Sequence, residues 1–152
     1  MKKFFKLGML SLTIILLSGC NNKEVLKTCN LTQTNSSYTM SNEYKIYGVN
    51  DTAEKVVSVE TVTSDDPNVL NNLKEYIEEL YSNSNENYGG YDYNIEISDN
   101  KLISTVTINY NEMDLEKYIE DNSIMKNYVN DDNKLLIDGI VNIYKSAGAQ
   151  CE

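Results

Sequence analysis

The order of strand-like and helix-like patterns constrains the fold of this chain more than any other feature of its sequence. Alternating and β-branched residues favour strands, whereas apolar residues at spacings of three and four favour a helix. The predicted strands are 38–49, 56–63, 91–97 and 102–110, paired as two hairpins. The predicted helices are 67–81, 113–129 (in two pieces) and 136–147. This order predicts an α+β domain in which an antiparallel sheet from two β-hairpins carries helices packed on one face.

Two acidic pairs, Asp65-Asp66 and Asp131-Asp132, lie where helices are expected to begin. Acids at that position cap a helix and interact favourably with its dipole. Calcium binding by the same carboxylates is the alternative, although both segments lack the spacing of an EF-hand loop. We therefore expect capping, and we expect no metal and no cofactor. The polar stretch 82–90 is predicted to be a loop that ends the first helix.

Residues 1–19 have the layout of a bacterial lipoprotein signal peptide. Lysines at the start precede an apolar run over 7–17, which is too short for a membrane-spanning helix of roughly 20 residues. Small residues at Ser18 and Gly19 then precede Cys20. We expect residues 1–19 to be removed and Cys20 to carry a diacylglycerol and a fatty acyl group such as palmitate. The alternative is an ordinary secretory signal, in which Cys20 is incidental.

This interpretation divides the rest of the chain into two parts. Residues 20–27 form the lipidated N-terminus and a polar tether, and residues 28–152 form a single domain. The expected location is the extracytoplasmic face of the cell membrane, where the lipid is the only part in contact with the bilayer.

Charge and missing residue types exclude several functions. Removal of residues 1–19 takes away three lysines and no acids, so the formal charge falls from −10 to about −13. Binding to nucleic acid or to an anionic bilayer surface depends on basic residues, so we expect neither. The chain contains no histidine, arginine or tryptophan. Without histidine there is no imidazole base for a nucleophile, and we expect the protein not to be an enzyme.

With Cys20 taken by lipid, Cys29 and Cys151 are the cysteines that remain. An oxidising compartment outside the cytoplasm favours a disulfide between them. Two free thiols with a redox or metal role are the alternative, but no Cys-x-x-Cys pattern supports it.

Tyrosine is unusually frequent, with 12 residues against two phenylalanines. Three tyrosines, Tyr88, Tyr91 and Tyr93, flank a pair of glycines and could contact a peptide or a sugar, since a tyrosine ring is a rigid apolar plane with a polar end. The alternative is structural: Tyr91 and Tyr93 face the core, and Tyr88 packs on the preceding helix.

Six stretches of the chain together carry a resemblance to a known family: 28–29, 62–66, 88–91, 113–115, 121–128 and 151–152. Together they resemble the YehR-like family of small bacterial lipoproteins, whose function is unknown. The resemblance implies an α+β fold, lipid attachment at Cys20, and Cys29 with Cys151 as the matching cysteine pair. It implies no catalytic residue.

The expected function is therefore that of a membrane-anchored lipoprotein with a non-catalytic binding domain. Its partner could be a peptide, another protein of the cell envelope or a glycan. A domain that binds divalent cations through its acidic surface is one alternative. A carboxylate-based envelope hydrolase is another, and it would need two acids about 5 to 9.5 Å apart.

Overall fold

Six antiparallel strands form one sheet in the computed structural model, which describes residues 24–152. The strands are β1 (Glu24–Thr34), β2 (Thr39–Val49), β3 (Thr52–Thr63), β4 (Tyr91–Ser98), β5 (Lys101–Asn109) and β6 (Gln150–Cys151). The helices are α1 (Pro67–Tyr88), α2 (Leu115–Asp121) and α3 (Ile137–Ser146), with a 3-10 helix over Ser123–Tyr128. The strand order is β4-β5-β3-β2-β1-β6. Both predicted hairpins are present, and the predicted α+β class is confirmed.

The first strand corrects the predicted tether. Residues from Glu24 onward do not form a polar linker but begin β1, which pairs with β2 along its whole length. Two residues obscure the alternation of this strand: Lys27 lies on the inner face, opposite the buried Ile46, whereas Leu26 lies on the outer face and is 53% exposed. A period-of-two pattern cannot be recognised where a charge faces inward and a leucine outward.

Helix α1 begins as predicted but ends later. Asp66 is its N-cap, with a side chain that accepts a hydrogen bond from the Asn68 backbone N–H at 2.9 Å, and Pro67 follows at the first position. The helix runs on to Tyr88, so the predicted loop over 82–90 is wrong for most of its length. The serines and asparagines within 82–87 are poor helix formers. They nevertheless continue the helix because its last residue, Tyr88, packs against the core, and Gly89 ends the helix at φ 70°.

The predicted capping role of the second acidic pair is wrong. Asp131 and Asp132 lie in a turn, several residues before α3, whose N-cap is Leu136 without a side-chain hydrogen bond. The turn is organised instead by Asn130, whose side-chain oxygen accepts from the backbone N–H groups of Asp132 and Lys134. The predicted break of the 113–129 segment is confirmed, since α2 ends at Asp121 and the 3-10 helix starts at Ser123.

The core lies between the helices and one face of the sheet, in two clusters. The first contains β-strand residues packed beneath α3, including Cys29, Ile46 and Val56. The second lies beneath α1 and contains Val62, Leu70, Ile77 and Leu102. A disulfide joins Cys29 to Cys151 and fastens β6 to β1, in agreement with the predicted pairing.

Three connections meet at the end of the sheet opposite Glu24. The Ser64 hydroxyl donates to the Ser37 carbonyl at 2.8 Å, and the Ser64 backbone N–H donates to the Asn100 carbonyl at 3.1 Å. Ser64 is 4% exposed. It therefore ties the β1–β2 turn, the β3–α1 connection and the β4–β5 turn together.

The predicted signal peptide over 1–19, the lipid site Cys20 and the first part of the tether lie outside the described residues. Within residues 24–152, none of the helices has the length and apolarity that a bilayer span requires.

Candidate functional site

A strip of polar side chains separates the two core clusters on the helix-covered face of the sheet. Helix α1 packs on β4 and β5, whereas α3 packs on β1, β2 and β3. Between α1 and α3, the facing residues of neighbouring strands are polar: Asn42 lies opposite Glu60, and Glu60 lies opposite Ser104. In the adjacent row, Tyr44 lies opposite Ser58. We call Asn42, Tyr44, Ser58, Glu60 and Ser104 the polar strip.

Asn42 is the most constrained member of the polar strip. Its side chain is only 5% exposed, and its Nδ2 donates a hydrogen bond to the Tyr44 hydroxyl at 2.7 Å. Its Oδ1 is buried and has no hydrogen-bond partner. Leaving a buried acceptor unpaired costs about 1–3 kcal/mol, so native structures rarely retain one without a reason.

Glu60 places a half-buried carboxyl group beside this amide. Desolvation raises the pKa of Glu60, and a hydrogen bond from the Asn42 side chain opposes that effect. The ion pairs among residues 24–152 are Lys45–Glu43 and Lys74–Glu78, so the Glu60 carboxylate has no cationic partner within that range. A carboxylate that is partly removed from water without a counter-charge is unfavourable.

Tyrosines from both helices close over the polar strip. The rings of Tyr44 and Tyr144 are stacked, with centroids 4.0 Å apart and planes at 17°. Tyr81, on α1, interacts electrostatically with Glu60 and with Tyr44, and burial is the main cause that raises the pKa of Tyr81 to about 12. Burial also raises the pKa of Tyr144. Tyr44 and Tyr81 therefore both interact with the Glu60 carboxyl group, and Tyr144 stacks on Tyr44.

Two of the three tyrosines predicted from the sequence lie beside this arrangement. Tyr91 and Tyr93 face inward from β4, and their ring centroids are 6.1 and 5.9 Å from that of Tyr81. Both are half-buried, as the structural alternative expects. They form part of the packing between α1 and the sheet, and contact with a ligand stays a prediction for them.

Tyr88 lies at the end of α1, away from the polar strip. Its ring meets that of Tyr118 edge-on at 5.3 Å, and its hydroxyl donates to Asp121 Oδ2 at 3.0 Å. The Lys117 ammonium lies 5.6 Å from the centre of the ring. The ring and the hydroxyl of Tyr88 therefore both contact other residues of the domain.

Sequence analysis missed Asn42, Glu60, Tyr44, Tyr81 and Tyr144 as a group. One signal was available, because Glu60 is the acidic residue of a β-branched run, and its neighbours two positions away on the same face are Ser58 and Val62. The grouping itself depends on the register of β2 with β3 and on how α1 and α3 pack on the sheet, which the sequence does not give.

Two other features bear on the alternative functions that the sequence suggests. A cavity of about 320 Å³ opens near the start of β1, between Lys27, Asp51 and Asp138. No group of three or more acidic or cysteine side chains converges in a way that could hold a metal ion within residues 24–152.

Comparison with known proteins gives the fold. No family model matches the chain, and no curated protein sequence matches it. The NMR structure of E. coli YehR covers 86% of this chain and 91% of its own, with 16% identity and a TM-score of 0.54. The chain has the fold of YehR. The NMR structure of a protein from Streptococcus pneumoniae TIGR4 is also similar, with 14% identity over 100% of this chain and 99% of that chain and a TM-score of 0.50. At these identities the likeness to YehR shows the shared fold and transfers no site residue.

Proposed function

We propose that this chain is a YehR-like lipoprotein, anchored by a lipid on Cys20 at the extracytoplasmic face of the cell membrane, and that its domain acts by binding. The sequence resemblance and the fold shared with YehR support the family. The layout of residues 1–20 supports the anchor. The disulfide between Cys29 and Cys151 fits an oxidising compartment.

The polar strip carries the binding proposal. It combines an unpartnered buried oxygen on Asn42 with the carboxylate of Glu60, which lacks a counter-charge among the described residues. Both features are unfavourable in the free protein and become favourable when a ligand supplies hydrogen-bond donors. The strip holds a single carboxyl group, whereas hydrolysis of a glycosidic bond by the usual mechanism uses two. Binding therefore fits the strip better than catalysis.

An NMR titration of the full acylated chain tests this function. The protein, held in micelles of a zwitterionic detergent, is titrated separately with a simple amine, a short peptide and a cell-wall oligosaccharide. We expect at least one probe to shift the amide signals of Asn42, Glu60 and Ser104 in a saturable way and to be recovered unchanged. Conversion of that probe into a product would contradict a binding role, and shifts confined to other surfaces would contradict the site.

A further inference from the structure

We propose that the polar strip recognises an organic ammonium group, held by the Glu60 carboxylate and the Asn42 Oδ1 and flanked by the rings of Tyr44, Tyr81 and Tyr144. This inference rests on the proposed binding function and names the chemical class of its ligand.

The first argument is the balance of donors and acceptors. Glu60 contributes carboxylate oxygens, and Asn42 contributes an oxygen that has no partner. Tyr44 contributes a hydroxyl that already accepts from Asn42. A primary ammonium group has three donors and no acceptor, so it matches a site in which acceptors are left over.

The second argument is charge. Glu60 has no ion-pair partner within residues 24–152, and the whole chain carries a formal charge of −10. An anionic ligand would add a like charge beside a carboxylate that is already partly desolvated, whereas a cation compensates it. A divalent metal ion is a poorer candidate because calcium takes six to eight oxygen ligands, and the described residues bring no group of three acids together.

The third argument is the aromatic surroundings. Cations bind favourably over the face of a tyrosine ring, within about 6 Å of its centre. The cation–π contacts within the described part of the chain join Lys55 to Tyr47 and Lys117 to Tyr88. Lysine ammonium groups therefore occupy rings elsewhere in the domain, whereas no such contact involves Tyr44, Tyr81 or Tyr144 there.

The experiment compares n-pentylammonium with 1-pentanol, its neutral analogue, by NMR titration of the full acylated chain. We expect the amine to shift the signals of Asn42, Glu60 and Tyr81 and the alcohol to bind at least tenfold more weakly. This comparison needs no variant. Equal shifts from the two probes would overturn the proposal.

A matched pair of variants sharpens the test. Glu60→Gln removes the charge of the polar strip, whereas Glu43→Gln removes a charge on the adjacent strand and the opposite face, where Glu43 pairs with Lys45. Glu60→Gln is expected to weaken amine binding at least tenfold, and Glu43→Gln is expected to change it less than twofold. Equal losses in both variants would show diffuse attraction to an acidic surface and would overturn the proposal.

The outcomes also separate this inference from the function on which it rests. If the oligosaccharide or the peptide shifts the strip while the amine does not, the ammonium class is wrong and the binding function stands. If none of the probes shifts the strip and a partner is bound elsewhere on the domain, both are wrong.

Discussion

Asn42 and Glu60 are register partners on the two central strands, β2 and β3, between two apolar clusters, where burial raises the pKa of Glu60 and the Asn42 side chain opposes that rise. At such a central position an apolar pair would extend the core without interruption. The polar pair instead leaves one oxygen unpartnered and one carboxyl group partly desolvated. This pair lowers stability at the place where we propose that the protein binds its ligand, a compromise that functional sites commonly show.

Glu60→Gln should therefore stabilise the free protein at neutral pH. Desolvation raises the pKa of Glu60 in the folded state, so the folded state binds this proton more tightly than the unfolded state does. Stability is then greatest below the unfolded pKa and falls as the pH rises through the folded pKa. We expect a gain in the free energy of unfolding at pH 7 that vanishes below about pH 4, measured by urea unfolding. Glu43→Gln is the control and should show no such gain. A loss of stability in Glu60→Gln at pH 7 would contradict this account.

Asp66→Ala should destabilise the domain, whereas Asp65→Ala should not. The Asp66 side chain accepts from the Asn68 backbone N–H at 2.9 Å and caps α1. Loss of such a cap costs about 1 kcal/mol. Asp65 is an exposed neighbour of the same type that does not cap the helix, so its replacement should stay within about 0.5 kcal/mol. Thermal unfolding of the two variants side by side decides the matter, and equal shifts in Tm would assign the effect to charge instead of capping.

Loss of the disulfide should lower the free energy of unfolding by about 2–5 kcal/mol. Cys29 and Cys151 are separated by 122 residues, and Cys29 is fully buried. The double variant Cys29→Ala, Cys151→Ala should unfold at lower urea concentration, and added reductant should destabilise the original protein but not the variant. Mass analysis under non-reducing conditions should show the original protein two hydrogens lighter than its reduced form. An unchanged mass would disprove the bridge.

Cys20→Ala should abolish lipid attachment. The thiol of Cys20 is the proposed acceptor, and its loss should leave an unprocessed precursor that takes up no label from a fatty-acid analogue in growing cells. The variant lacking Cys29 and Cys151 is the control and should be processed and labelled normally. Continued labelling of Cys20→Ala would show that Cys20 is not the lipid site and would contradict the proposed anchor.

The elements that the sequence predicted share one property: their signals are local. The β-branched run over 56–63 identifies β3, and the pair Asp66-Pro67 identifies the start of α1. Strand β1 was missed because Lys27 and Leu26 each face the side opposite to that expected from their polarity. Pairing with β2 makes this segment a strand despite these two residues, and a local pattern cannot show that pairing.

The polar strip could not be predicted for a related reason. Asn42, Glu60 and Ser104 are far apart along the chain and meet because three strands align in one register. The excess of tyrosine is visible in the sequence, but only the cluster around Gly89 and Gly90 is contiguous along the chain. The structure brings Tyr44, Tyr81 and Tyr144 together from a strand and two different helices.

The ties made by Ser64 would also mark one end of the domain if, as we propose, a lipid on Cys20 anchors the other. Strand β1 begins at Glu24, and the three connections joined through Ser64 lie at the other end of the sheet. A lipid on Cys20 would leave three residues, 21–23, before the first strand, so Glu24 would lie at most about 14 Å from Cys20. The strands would then stand away from the membrane, with the turns around Ser37, Ser64 and Asn100 outermost. Those turns would be the first part of the molecule that an antibody, a protease or a neighbouring cell encounters.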